Sequence, residues 1–419
     1  MRVKLLFLVF FVGLGASTTP RTPIPPSKDP WYRPPSRFES AAPGTVFKVR
    51  QAPGNLTDMF NCSAVYNILY RTTDSQYLPT WAVTTLYIPL KSGHSPRSAT
   101  TQGQGDAAPS PPFLTWLHPY DSNSLDSSPS YLFYDASTPF VQDLRTALSR
   151  GWHVSVPDYE GPKASFTAGV MSGHAVLDSV RAVQRARLPS IDDRNPAAIW
   201  GYSGGGLAAG WAAELQASYA PDLELAGVAM GSPVVNVTDV LYRVNNTPLA
   251  GLIPPALLGL TSQYPDAQKF LISHLKPGPT NDAFLAARNV SWTQAIQTFS
   301  GQDIATTYFI NGLADVFAPE MRLAWGRDSC MGYHGVPWMM PVYVYQAAHD
   351  ELASVDDTAA LVARYCGVGA NIFFERNQVG GHLEELVAGA PGAVRWLASV
   401  FDGTYSQKYP STGCTIVDV

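Results

Sequence analysis

Gly201-Tyr202-Ser203-Gly204-Gly205, entered from the apolar run Ala197-Ala198-Ile199-Trp200, is the stretch that most limits what this chain can fold into. Four apolar residues read as a buried strand, and the residues from Gly206 to Tyr219, with Leu207, Ala208, Trp211, Ala212 and Leu215 apolar, read as a helix. Between them lies G-x-S-x-G, the pattern of a strained strand-to-helix turn that lifts a serine hydroxyl out of the fold. The outer glycines have a steric reason, since side chains there would collide with the adjoining strand and helix.

The surrounding chain repeats this rhythm. Strand-like runs at Trp81 to Pro89, Phe113 to Leu117, His153 to Pro157, Leu225 to Met230, Pro341 to Gln346 and Asn371 to Glu375 alternate with helical patterns at Ala168 to Arg187, Ala353 to Tyr365 and Pro391 to Phe401. Alternation of this kind predicts an α/β fold with a mostly parallel central sheet covered on both faces. The rhythm breaks between about Val235 and Trp338, where helical patterns and Pro-rich turns such as Ile253-Pro254-Pro255 occur without clear buried strands. The expected organisation is a core over 38–234 and 336–419, interrupted by a mostly helical cap over 235–335 at the sheet edge where such folds bind ligands.

Arg2 and Lys4 precede the apolar run Leu5 to Leu14 and the small residues Gly15-Ala16-Ser17, so residues 1–17 read as a secretory signal followed by a Pro-rich leader over 18–37. The apolar run is too short to span a bilayer, and no second long one follows, which predicts a secreted, extracellular monomer without stable membrane insertion. A net charge of −5 without a basic stripe excludes the electrostatic footprint of a nucleic-acid partner. In an oxidising compartment, the four cysteines favour two disulfides. Pairing Cys366 with Cys414 ties the C-terminal tail beside the last strand and leaves Cys62 with Cys330. N-x-[ST] sequons at Asn55, Asn61, Asn236, Asn245 and Asn289 mark candidate glycosylation sites. No cysteine pair has C-x-x-C spacing, and neither a metal nor a cofactor is expected.

A serine hydroxyl needs a histidine to take its proton and a carboxylate to orient that histidine. In α/β-hydrolases the order along the chain is serine, acid, histidine. His382 follows the strand-like Ile372 to Glu375 through a loop ending Gly380-Gly381, whereas His274 and His334 fall in the proposed cap. Asp350 ends the run Val342 to Ala348, where the acid belongs; His349 and Glu351 flank it, and Asp315, Asp356 and Asp357 are its rivals. Donors for a tetrahedral oxyanion are expected from the backbone N–H of Gly204 and from the loop after Phe113 to Leu117, which reads His118-Pro119-Tyr120-Asp121-Ser122 without an H-G-G-G motif.

Pro157-Asp158-Tyr159-Glu160-Gly161-Pro162, Ala168-Gly169 with Gly173-His174-Ala175-Val176-Leu177-Asp178, Gly201 to Gly205, and Gly367-Val368-Gly369-Ala370-Asn371-Ile372 running to His382 together closely resemble the fungal secretory lipases, over about residues 38 to 415. The resemblance implies Ser203 as nucleophile, Asp350 as acid, His382 as base, and Asp121 with Gly204 as the oxyanion hole. It also implies an α/β-hydrolase fold, a helical cap that holds the acyl chain, and a Cys366–Cys414 disulfide. One yeast member carries a cysteine in the loop after its oxyanion aspartate, where this chain has Leu125-Asp126-Ser127-Ser128-Pro129, so the Cys62–Cys330 pairing rests on parity alone. The expected activity is a serine carboxylic-ester hydrolase, a triacylglycerol lipase first, with an ester or lipid substrate met at a lipid–water interface. An esterase or acyltransferase on a soluble metabolite is the alternative, and a non-catalytic binding protein on the same scaffold stands behind both.

Overall fold

The structure, a computed structural model, describes residues 22–90, 111–189 and 191–419. The signal read at 1–17, the first residues of the leader and most of the loop read at Ser92 to Pro112 lie outside the described residues. Ten strands form one sheet: β1 (Val46–Gln51), β2 (Cys62–Thr73), β3 (Pro79–Pro89), β4 (Phe113–Leu117), β5 (His153–Pro157), β6 (Ala197–Tyr202), β7 (Leu225–Gly231), β8 (Val342–Ala347), β9 (Ile372–Asn377) and β10 (Cys414–Asp418). Their spatial order is β1-β2-β3-β5-β4-β6-β7-β8-β9-β10. From β5 onward every neighbouring pair is parallel, while β1, β2 and β3 join as an antiparallel ribbon that meets β5 antiparallel.

Both faces of the sheet are covered, as near-continuous apolar strands require. Along β6 the side chains alternate between two core layers. Ala197 and Ile199 enter one with the Gly169–Arg185 and Gly204–Tyr219 helices, and Ala198, Trp200 and Tyr202 enter the other with the Gln142–Ser149 and Ala390–Phe401 helices. The Gly204–Tyr219 helix is largely apolar and buried over Gly204 to Gln216, because it packs between the sheet and the Gly169–Arg185 helix.

Between β7 and β8 the chain passes through a series of helices, from Val237–Val244 to Arg322–Asp328. The two ends of this excursion are stitched together: Val237 N–H donates to Ser329 O (2.8 Å), Met331 N–H to Val235 O (3.0 Å), and Asn236 bridges Cys330. At the other end of the chain, Trp31 and Tyr32 are held on the body. The Arg50 guanidinium lies 4.1 Å from the Trp31 ring centre, and Tyr32 Oη is 2.9 Å from Ser130 Oγ.

Cys366 and Cys414 form a disulfide that fastens β10 to the helix leading into β9. The expected Cys62–Cys330 bond is absent, which corrects the parity argument, and both thiols are free. The reason lies in the layers. Cys62 opens β2 and is buried in the core layer beside the Gln142–Ser149 helix, whereas Cys330 stands at the base of the helical excursion next to Met331, which belongs to the layer on the opposite face.

Candidate active site

Ser203, Asp121, Asp350 and His382 follow β6, β4, β8 and β9. All four therefore lie beyond the carboxyl ends of parallel strands, where an open α/β sheet presents its loops to ligand. Ser203 sits at φ 55° and ψ −119°, a conformation strained for a side-chain-bearing residue. It is held there by Ser203 N–H donating to Gly231 O (3.0 Å) and by Leu207 N–H donating to Ser203 O (2.8 Å). The turn is tight enough to demand glycine on both sides: a Cβ on Gly201 would come 2.1 Å from Gly205 O, and one on Gly205 2.1 Å from Leu117 O.

Ser203 Oγ lies 2.8 Å from His382 Nε2, and His382 Nδ1 lies 2.9 and 3.0 Å from the two carboxylate oxygens of Asp350. The sequence separations are 179 and 32 residues, so the fold alone brings the three together. Burial pushes the Asp350 carboxyl up, but the bond and charge of His382 and the backbone N–H groups of Ala353 (2.8 Å) and Leu352 (2.9 Å) pull it down, leaving it below the usual carboxylate range. An ionised acid at this place is what keeps a proton on Nδ1 and frees Nε2 to face the serine.

The His382 backbone is fixed separately. Its N–H donates to Glu351 Oε2 (2.8 Å), Gly381 N–H donates to Glu384 Oε2 (3.0 Å), and its carbonyl accepts the Tyr202 hydroxyl (2.6 Å). The role of Glu351 was not visible in sequence, where it only shadowed Asp350. A carboxylate directly after a candidate acid is the signal available.

Asp121 takes a left-handed backbone, φ 39°. Its Oδ1 is buried without a hydrogen-bond partner and aims at Gly204, where a Cβ would come within 2.0 Å of it. Burial raises its carboxyl to about 7, against the opposing pull of nearby His382. The side chain is therefore able to carry a proton near neutrality and to donate it, which an ordinary aspartate cannot do.

Two apolar cavities meet at Ser203. One runs under the Val237–Val244 helix between Gly204, Val240, Leu241 and Leu252; the other lies between His382, Phe140, Trp292 and Leu386. Among the described residues no three His, Cys, Asp or Glu side chains converge as a metal site, and no helix is long and apolar enough to cross a membrane.

The other candidates do not reach this centre. His274 bonds Phe270 O (2.9 Å) in the helical excursion, His334 packs on Trp211, and His349 is exposed. Asp315 accepts two bonds from Asn311, and Asp356 and Asp357 open the Val355–Cys366 helix. Of the sequons, Asn55, Asn61 and Asn289 are exposed. Asn236 instead caps a helix through Asp239 N–H (3.3 Å), and the Asn245 amide is spent on Asp303 (3.1 Å) and Ile304 N–H (2.8 Å).

Comparison with known proteins gives the family. The secretory lipase family model matches residues 140–408. Trichothecene C-3 esterase of Fusarium sporotrichioides is 48% identical over 98% of this chain and 91% of its own length, and Lipase A of Arthroderma benhamiae is 34% identical over 92% and 82%. Candida antarctica lipase A in its closed state superimposes with a TM-score of 0.81 at 26% identity, covering 94% of this chain and 90% of that one. The chain belongs to the secretory lipase family and is an α/β-hydrolase of the lipase and esterase type.

Proposed function

We propose that the protein is a secreted serine carboxylic-ester hydrolase in which Ser203 attacks the ester carbonyl, His382 takes the serine proton and Asp350 stabilises the resulting imidazolium. The observation that carries this reading is the unbroken line from Ser203 Oγ through the imidazole to the Asp350 carboxylate. As the tetrahedral intermediate forms, its oxygen takes one hydrogen bond from the Gly204 N–H and one from a protonated Asp121 side chain. His382 then returns the proton to the leaving alcohol, and water repeats the sequence to release the acid.

The acyl chain lies in the cavity under the Val237–Val244 helix, whose Val240, Leu241 and Val244 give it an apolar wall. An aliphatic acyl group suits that lining, and triacylglycerol is one ester that carries such a group. The identity to a protein named trichothecene C-3 esterase favours a second reading, an esterase acting on a soluble metabolite. Secretion rests on the signal read at residues 1–17 and on the family.

Hydrolysis of a chain-length series of p-nitrophenyl esters beside an emulsified triglyceride tests both. Turnover of the soluble esters and the emulsion supports the lipase, turnover of the soluble esters alone supports the esterase, and inertness toward all of them removes the hydrolase.

A further inference from the structure

The two cavities at Ser203 are not equivalent, and the chemistry of an acyl-enzyme assigns them different halves of the ester. Gly204 lines only the cavity under the Val237–Val244 helix, and His382 lines only the other. When Ser203 Oγ bonds to the carbonyl carbon, its proton passes to His382 Nε2. When the carbon–oxygen bond to the alcohol breaks, the electron pair stays on the alcohol oxygen, which takes that proton back from Nε2. The leaving oxygen must therefore lie on the His382 side of the carbonyl, and the body of the alcohol must extend into the cavity that His382 lines.

That cavity is lined mostly by apolar side chains. Its far wall is a pair of rings from two parts of the chain, Phe140 from the loop before the Gln142–Ser149 helix and Trp292 from the Trp292–Phe299 helix of the excursion, with centres 6.1 Å apart and planes 28° from parallel. Phe140 is held at φ 63°, a left-handed backbone disfavoured for an aromatic residue, and its ring packs on that of Trp292. Ile296, Leu383 and Leu386 are among its aliphatic lining, and Glu351 is its one carboxylate besides Asp121. Flat rings and branched aliphatic groups offer broad contact to a rigid alicyclic face, but few partners to an alcohol rich in hydroxyls.

We infer that this second cavity is the leaving-alcohol site, and that its Phe140–Trp292 pair selects esters whose alcohol presents a rigid, apolar ring system. The inference rests on the proposed roles of Ser203 and His382 and adds the alcohol class and the residues that recognise it.

The test compares ratios of kcat/KM, which do not depend on how much of a sample is folded. Bornyl acetate against ethyl acetate reads the alcohol site, and ethyl octanoate against ethyl acetate reads the acyl cavity. Trp292→Ala, and Leu383→Trp at a position more than half exposed and so safe for packing, each lower the bornyl ratio about tenfold or more while the octanoate ratio moves less than about threefold. Val240→Trp does the reverse. A bornyl ratio that falls in Val240→Trp instead, or two ratios that move together in Trp292→Ala, overturns the assignment while leaving the hydrolase intact. Inertness of the unmodified enzyme toward all three esters overturns the hydrolase reading and this inference with it.

Discussion

Asp121 Oδ1 lies over Gly204 closely enough that a single methyl group on the glycine would come within 2.0 Å of it. Oδ1 is buried there without a hydrogen-bond partner, which fits the proposal that a protonated Asp121 donates to the tetrahedral oxygen. An ionised carboxylate there would repel that oxygen, so the arrangement works only with a proton in place. With Asp121 raised to about 7 by burial, kcat should fall as pH rises through about 7. Asp121→Asn, whose amide donates at every pH, should flatten that fall, and Asp121→Ala should cost on the order of 100-fold. Three superimposable kcat–pH profiles would show that the side chain takes no part.

The backbone strain at Ser203 separates chemistry from stability. Ser203→Ala should abolish ester hydrolysis and leave the melting temperature within a few degrees, since the hydroxyl contributes little packing. Ser203→Gly should be equally inert but more stable than the alanine variant by about 1 kcal/mol, because glycine adopts φ 55° without strain. Asp350→Asn should lose on the order of 10⁴ in kcat through the wrong imidazole tautomer. Calorimetry and a p-nitrophenyl acetate assay on the three variants suffice. Residual turnover near the unmodified level in any of them would remove that residue from the mechanism.

Glu351 holds the His382 N–H from the residue next to Asp350, so it fixes the main chain of one partner and follows the other in sequence. Glu351→Gln retains an acceptor and should change kcat little. Glu351→Ala frees the loop and should lower kcat about tenfold with a smaller change in KM. Equal kcat for the two variants would make the contact incidental.

These residues differ in how far the sequence announces them. Ser203 and His382 stand out because glycines accompany a turn and a loop that side chains would block, and Asp350 because it ends a strongly apolar run. The parallel strands β4 to β8 are legible because strands buried on both faces are mostly apolar, and β9 through its Ile372-Phe373-Phe374 start. β1, β2 and β10 escaped that reading. β1 and β10 are edge strands with exposed positions, and β2 mixes Ser, Asn, Arg and Thr among its apolar residues, so none forms a continuous run. Phe140 and Trp292 are 152 positions apart and meet only through the placement of the helical excursion, which no local pattern encodes.

Cysteine pairing gives a direct chemical check of the layer argument. Denatured, unreduced protein should titrate two thiols, those of Cys62 and Cys330, and no thiol would be found if they were joined. Cys366→Ser should lower stability by roughly 2–4 kcal/mol, since the Cys366–Cys414 bond closes a loop of 48 residues in the unfolded chain. A chemical denaturation midpoint unchanged by Cys366→Ser would mean that the bond constrains nothing.

Stability should also depend on pH through buried acids that keep their protons. Burial raises both Asp121 and Asp158 to about 7, and Glu160, with neither oxygen bonded, well above the carboxylate range. The unfolded chain releases these protons near pH 4, so between pH 6.5 and 8 the folded state binds more protons than the unfolded one. Stability gained from a raised pKa is present at low pH and lost as pH climbs through the folded value. Opposing groups act lower down. Burial depresses His118, His153 and His174 to about 3, 4 and 3, and their contribution is present above about 6.5 and lost on acidification below it. The carboxyls therefore govern the interval from pH 8 to 6.5, and the melting temperature should rise by a few degrees as pH is lowered across it. Asp158→Asn, whose Oδ1 keeps an acceptor for the Ser130 N–H and whose NH2 donates to the Ser130 hydroxyl in place of the carboxyl proton, should reduce that rise. A melting temperature that is flat or falls from pH 8 to 6.5 would show that these acids are ionised in the folded protein, and would also withdraw the protonated donor assigned to Asp121.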